Sequence, residues 1–440
     1  MSSSGLAMGP ARWRTWLPLR LPPHRASSAA LAGAYPFLAT APLDRGMYVG
    51  SDAFTGSPFC FDPWTLYAEG LLTNPNMLLA GVIGQGKSAL AKSLAVRSIA
   101  AGRRVYVPGD PKGEWGPVAE AVGGKVIELG PGLATRLNPL DSGGTGAAST
   151  TAVTRAGQLR LLSSLAETTL GRDLRPSEHT AMDAALTMAV QRRGGLATVP
   201  DVLAALGEPD SSAALADSTS VEDRTADGRD LAHGLRRLVR GDLAGLFDGP
   251  STVVLDDDAT MVVLDLSRLG SHDDALAIAM TCTSAWLEAS LAAGGGQRWI
   301  IYDEAWRLLR SLPLVRRMQA QWKLSRAHGI ANLLVLHRLS DLDAVGATGS
   351  EVRSLAEGLL ADCSTRVIYR QETDQLVDAA RALGLTRTER ELLPALPRGT
   401  GLWKVANRSY VVHHHLHPHE AAVFDTDAAM RGQGAEGVPR

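Results

Sequence analysis

The chain has 440 residues, 45% of them hydrophobic, with Lys+Arg 44 against Asp+Glu 46 and a formal charge of −2. That length and apolar fraction support one large or two ordinary globular domains, and the charge balance excludes a global basic field, so any nucleic-acid contact must come from a local patch. No apolar run approaches the roughly 20 residues of a membrane span, and Cys60, Cys282 and Cys363 lack metal-ligand spacing and read as small core residues of a reducing compartment.

Residues 1–45 are rich in Ser, Ala, Pro and Arg and read as a flexible arm, a composition that also resembles a transit peptide. Residues 50–63 (GSDAFTGSPFCFDP) carry turn chemistry around Phe59, Cys60 and Phe61, which predicts a short hairpin that covers a sheet edge or contacts a ligand. The stretch MLLAGVIGQGKS, Met77 to Ser88, follows. Its second half fits G-x-x-x-x-G-K-[ST], with an apolar strand before it and a breaker-free Ala/Leu helix after it as far as Gly102. This is a phosphate-binding loop. Gly81, Gly84 and Gly86 let the backbone curl so that N–H groups from Gln85 to Ala89 point at phosphates, and the helix N-terminus favours the anion. Lys87 is placed for the β/γ-phosphates of ATP, and Ser88 for Mg²⁺.

The next strand, 104–107, is expected beside the P-loop strand and runs into Gly109-Asp110-Pro111-Lys112-Gly113-Glu114-Trp115. Ligands of open α/β sheets bind at such strand ends, so Asp110 and Glu114 are candidates for ribose or Mg²⁺-bound water; a surface turn capping a helix over 114–122 is the alternative. A strand over 125–129 leads to Asn138-Pro139-Leu140-Asp141. After a Ser/Gly/Thr linker the pattern from 158 to about 246 is helical, with an acidic polar middle (208–230) to which no structure is assigned. This segment is read as an insert that can be removed without unfolding the nucleotide core. The chain thus divides into an arm (1–45), a first core part (46–141), a helical insert (142–252), a second core part (253–425) and a disordered tail (426–440).

The sheet is expected to resume at 261–266, and a helix over 273–293 precedes Trp299-Ile300-Ile301-Tyr302-Asp303-Glu304. An apolar strand buried on both faces delivers its terminal acids to the carboxyl edge, where Asp303 would hold the Mg²⁺ shell and Glu304 would take the proton of attacking water. The alternative makes Asp303 an N-cap and Glu304 a first-turn acid. Seven basic residues (Arg298, Arg307, Arg310, Arg316, Arg317, Lys323, Arg326) with Trp306 and Trp322 among them suit either a nucleic-acid channel or a solvated face with Trp in the core. A strand over 331–336 brings His337 near a γ-phosphate. Beyond a strand over 365–369, segments 401–406 and 410–414 predict a hairpin on one sheet edge, and the histidines from His413 to His419 alternate across it and are not read as a metal site.

These motifs in this order (the P-loop, DPKGEW with NPLD, the insert, YDEAW, and SRAHGIANLLVLHRLSDL) resemble the ATPase domain of conjugative type IV secretion ATPases, in the HerA/FtsK superfamily of P-loop motors. The resemblance covers roughly residues 74–425. It implies an α/β, RecA-like sheet with helices on both faces, a homo-oligomeric ring, often a hexamer, and ATP hydrolysis with Mg²⁺ coupled to moving DNA or protein. It also implies partners in a membrane secretion or conjugation complex, DNA as a further candidate partner, and a cytoplasmic place at the inner face of the cell membrane. Carried over, it makes Lys87 and Ser88 the phosphate and Mg²⁺ contacts, Asp303 the metal acid and Glu304 the base. His337 takes the γ-phosphate sensor position, where relatives usually place a glutamine. An arginine supplied to a neighbouring subunit's site is sought near the carboxyl edge of the sheet, among Arg326, Arg338, Arg366 and Arg370, with Arg326 the first candidate and Arg366 second.

Overall fold

A computed structural model describes residues 43–141, 152–256, 258–270, 272–291, 295–336, 350–372, 380 and 383–424. Among the described residues eleven strands form one sheet: β1 (Met47–Asp52), β2 (Pro58–Phe61), β3 (Met77–Ala80), β4 (Arg104–Asp110), β5 (Lys125–Glu128), β6 (Met261–Asp265), β7 (Arg298–Tyr302), β8 (Ile330–Leu336), β9 (Thr365–Ile368), β10 (Thr400–Val405) and β11 (Arg408–His414). Their spatial order is β2-β1-β11-β10-β9-β3-β8-β7-β4-β6-β5. From β9 to β5 every pairing is parallel, and from β9 to β2 every pairing is antiparallel.

Residue alternation divides the core between two faces. Met77 and Leu79 of β3 join Leu90 and Leu94 of the helix Lys87–Ala100 on one side, while Leu78 and Ala80 face the other. The P-loop strand is covered on both faces, as its unbroken apolar run requires. Cys282 and Cys363 lie in the core, where burial pushes both thiols up to about 12.

Two placements differ from the sequence reading. β4 is not next to β3, because β8 and β7 stand between them. The hairpin β10–β11 is not an edge either: β1 pairs with β11, and β2 forms the edge outside it. Residues far apart in the chain made that pairing invisible, although the hairpin 47–61 itself is where turn chemistry put it.

The insert is helical over Ala152–Leu170, Pro176–Arg193, Val199–Gly207, Ser211–Ala216, Val221–Leu235 and Arg237–Arg240. The acidic middle left without structure is helical at 211–216 and 221–235, where Asp210 and Ser220 cap the two N-termini. Leu161, Leu186, Leu231 and Phe247 belong to the same buried cluster as Leu78, Ile300 and Trp322. Asn138 of NPLD clasps the insert to the core: its amide donates to Ala197 O at 2.9 Å, and its backbone N–H donates to Ser251 Oγ at 2.9 Å. Because the insert shares that cluster with the sheet, deleting 150–250 is expected to uncover large apolar side chains that each contribute about 1.5–3 kcal/mol when buried. The deleted protein is expected to show no cooperative thermal transition; a sharp transition with ATP binding retained would restore the autonomous reading.

His414 is buried with Nε2 unpartnered, and burial, then the charge of Arg97, pushes its pKa down from 6.5 to about 4; Glu420 acts the other way, and His415 and His413 act with Arg97. The ring is therefore neutral when folded and protonated below its ordinary pKa when unfolded. As pH falls from 6.5 to 4 the unfolded chain gains a proton the folded one refuses, and about 2–3 kcal/mol of stability is lost. Denaturant midpoints measured across that window should fall less steeply in His414→Leu than in the parent.

Candidate active site

The loop after β3 turns through Gly84 (φ 79) and Gly86 (φ 103), left-handed conformations that glycine adopts without penalty. Gly81 is required for a different reason: a Cβ there would stand 2.5 Å from Tyr369 Cβ. Two neighbours hold the loop, with Val82 N–H donating to Arg370 O at 3.1 Å and Gly399 N–H donating to Gln85 O at 3.0 Å. The helix Lys87–Ala100 opens on Gly86 with no side-chain cap, so the positive end of its dipole and its first N–H groups, including those of Ser88 and Ala89, face the loop. Lys87 is buried, and its ammonium donates to Gly81 O at 2.5 Å and Val82 O at 3.0 Å, folded over the cradle it would share with a phosphate. A glycine cradle, an uncapped helix start and a lysine at its first turn together fit an anionic phosphate.

β7 is separated from β3 by β8, which puts the two strands about 10 Å apart. Through β8 the register aligns Tyr302 with Leu78, since both pair with Leu334. Asp303 and Glu304 therefore leave β7 at the level where β3 gives way to the P-loop. β8 ends at Leu336 between them; His337 and Arg338 lie outside the described residues.

Both acids are buried. Asp303 Oδ2 accepts the Trp115 indole N–H at 3.0 Å, and Oδ1 accepts the Glu304 N–H at 3.0 Å. Glu304 sits at φ 56, left-handed for a side-chain-bearing residue and costly by about 1–2 kcal/mol. Its carboxylate forms an ion pair with Lys112 and accepts the Trp306 indole N–H at 2.6 Å. The helix Trp306–Leu309 has Ala305 as its N-cap and no acid in its first turn, so Asp303 is not its cap and Glu304 is not its first-turn acid.

Asp110, fully buried, accepts N–H bonds from Trp115 at 2.7 Å and Lys112 at 3.2 Å, which closes the 109–115 turn upon itself. Burial lifts its pKa to about 6 against the Trp115 N–H, with Asp303 and Asp265 adding to the rise. Glu114 pairs with buried Lys92 at 3.5 Å. The candidates Asp110 and Glu114 are thus committed to the turn and to the P-loop helix. The sequence reading passed over the turn's other two polar groups, Lys112 and the Trp115 indole, which reach the paired acids directly. A lone cation between two acids was the available signal.

Five of the seven basic residues have internal partners. Arg307 and Arg310 pair with Asp273, Arg316 with Asp173 and Glu351, Arg317 with Glu288, and buried Arg298 donates to Leu291 O. Arg366 is in mid-strand and donates to Leu383 O and Ala361 O, away from the carboxyl edge. Arg326 opens a 3₁₀ turn before β8, at the amino edge of the sheet and on the opposite side from its own P-loop. Arg370, exposed, follows β9 beside the loop.

Solved structures share this arrangement of elements. VirB4 of Thermoanaerobacter pseudethanolicus superposes with a TM-score of 0.67 over 86% of this chain and 98% of that one, at 21% identity. The chain has the VirB4 fold. The plasmid coupling protein TrwB in complex with ADP and Mg²⁺ matches at TM-score 0.56 over 85% of this chain and 90% of that one, at 16% identity; TrwB in complex with the ATP analogue ADPNP matches at 0.53 over 86% and 96%, at 15%. No family model and no curated protein matches the chain. The large sheet with helices on both faces, the α/β RecA-like class expected from the motif order, is thereby shown. Among the described residues, no helix is long and apolar enough to cross a membrane.

Proposed function

We propose that the chain is an ATP-hydrolysing motor of a conjugative or type IV secretion apparatus. One observation carries this most directly: β7 delivers two buried carboxylates to the edge and level of the P-loop, within a fold shared with VirB4 and with TrwB bound to ADP and Mg²⁺. In this reading the N–H groups from Gln85 to Ala89 and Lys87 hold the phosphates of ATP. Ser88 and Asp303 hold Mg²⁺, which would screen phosphate charge when bound. Glu304 orients the attacking water and accepts its proton.

The chain works as a homo-oligomeric ring, a hexamer by likeness to its motor class, docked on membrane-complex proteins at the inner face of the membrane. Direct gripping of DNA is the competing reading, suggested by the basic stretch 298–326 and weakened by the internal pairing of Arg307, Arg310, Arg316 and Arg317. Hydrolysis rate and particle mass measured together, with and without single- and double-stranded DNA, separate the two. Magnesium-dependent hydrolysis by a ring indifferent to DNA supports the secretion motor, DNA stimulation the coupling protein, and no hydrolysis in any state refutes both.

A further inference from the structure

The 109–115 turn touches the site at three points. Glu114 reaches Lys92 on the P-loop helix, Trp115 reaches Asp303, and Lys112 reaches Glu304. Asp110 makes these three contacts move together, because it holds both the Lys112 and Trp115 backbone N–H groups. At Glu304 each carboxylate oxygen already has a donor: Lys112 at Oε1 and the Trp306 indole at Oε2. A carboxylate so engaged, and only 3% exposed, is poorly placed to receive a proton from water. Lys112, by contrast, is 46% exposed at its side chain and carries its ammonium on a flexible stem, so it can let go without unfolding anything.

A stabilising role explains the pair less well. An ion pair with one partner half-exposed contributes little net stability, and this one sits at a residue whose backbone is already strained. We infer that Lys112 is a positioning residue for the base: with Trp306 it holds Glu304 away from the attacking water, and hydrolysis requires the 109–115 turn to release the carboxylate. The inference rests on the ATP-hydrolysis reading above. Glu114 links the same turn to the P-loop helix, so a shift of that helix on nucleotide binding would be felt at Lys112.

The test uses the full chain. Lys112→Met keeps the stem and removes the charge; it is expected to raise basal kcat about fivefold or more with KM for ATP unchanged, the pattern of an effect felt only in the transition state. Lys112→Arg, which retains a charged donor, should stay near the parent rate. The double variant Lys112→Met/Glu304→Gln should be as slow as Glu304→Gln alone, which shows that the gain runs through the carboxylate. A readout free of turnover is the ¹⁹F resonance of Trp306 in 5-fluorotryptophan-labelled protein, assigned with Trp306→Phe. It should shift in Lys112→Met without nucleotide, and shift the same way in the parent on adding a non-hydrolysable ATP analogue with Mg²⁺. A Lys112→Met protein no faster than the parent, or a Trp306 signal unmoved by the substitution, overturns the inference. A parent that hydrolyses no ATP refutes the functional reading instead, and the fluorine signal still decides whether Lys112 governs Glu304.

Discussion

Glu304→Gln is expected to bind ATP as tightly as the parent and hydrolyse it at least about a hundredfold more slowly, the scale of a lost general base. Lys87→Ala is expected to fail one step earlier, with no tight ATP binding. The separation follows from position. Lys87 lies inside the loop, its ammonium already on the carbonyls of Gly81 and Val82, so its removal strips the cradle of a buried side-chain cation. Glu304 stands two strands away, on a different strand end, where it pairs with Lys112 and accepts the Trp306 indole N–H. Glutamine can still accept the Trp306 N–H and keeps the side-chain volume, so the strained backbone at φ 56 is supported as before and only the proton acceptor is lost. Equilibrium binding of a fluorescent ATP analogue and single-turnover hydrolysis measure the two steps separately. Normal turnover by Glu304→Gln would remove the base assignment; weakened binding by it would mean that the carboxylate positions substrate instead.

Much of the site was legible because its parts are contiguous in the chain. A P-loop is a local backbone device, and its eight residues specify the curl, the anion cradle and the helix start together. The strand 298–302 was legible for a similar reason: an apolar run ending abruptly in two acids can only deliver them to the edge of a buried sheet. What the sequence left open was which strand neighbours which. β4 was expected beside β3 and lies three places away, and the 400–414 hairpin became interior because β1, some 350 residues earlier, pairs with it. Periodicity tells a residue which face it occupies but not whose neighbour it is. The same gap hid Lys112: nothing local to DPKGEW says that a turn after β4 meets the end of β7. The insert is a different case. A linker on its N-terminal side and a change to helical periodicity suggested an independent unit, yet Leu161, Leu186 and Leu231 pack into the cluster that covers the sheet.

Arg326→Ala is expected to bind ATP and assemble normally while hydrolysing about 10³-fold more slowly or worse, the range measured for arginines that stabilise charge on a transferred phosphoryl group in other nucleotide hydrolases. Arg326 lies at the amino edge of the sheet, not at the carboxyl edge where this arginine was sought. β8 runs seven residues from Ile330 to Leu336, about 23 Å at 3.3 Å per residue, and the P-loop lies at its far end. Arg326 therefore has no part in its own subunit's site, and any effect on hydrolysis must pass to a neighbour. Arg370 is the contrasting case, since it follows β9 at the loop and its carbonyl holds Val82 N–H. Mixing separates them. Rings of Arg326→Ala and Lys87→Ala subunits contain interfaces where the P-loop of the first meets the arginine of the second, so activity should return. Rings of Arg370→Ala and Lys87→Ala should stay inactive if Arg370 serves its own loop, because both defects fall in sites that no neighbour can complete. If mixed rings form and the Arg326→Ala mixture recovers no turnover at any ratio, Arg326 does not act across the interface. Recovery with Arg370→Ala alone would give the role to Arg370 and leave Arg326 with no part in hydrolysis.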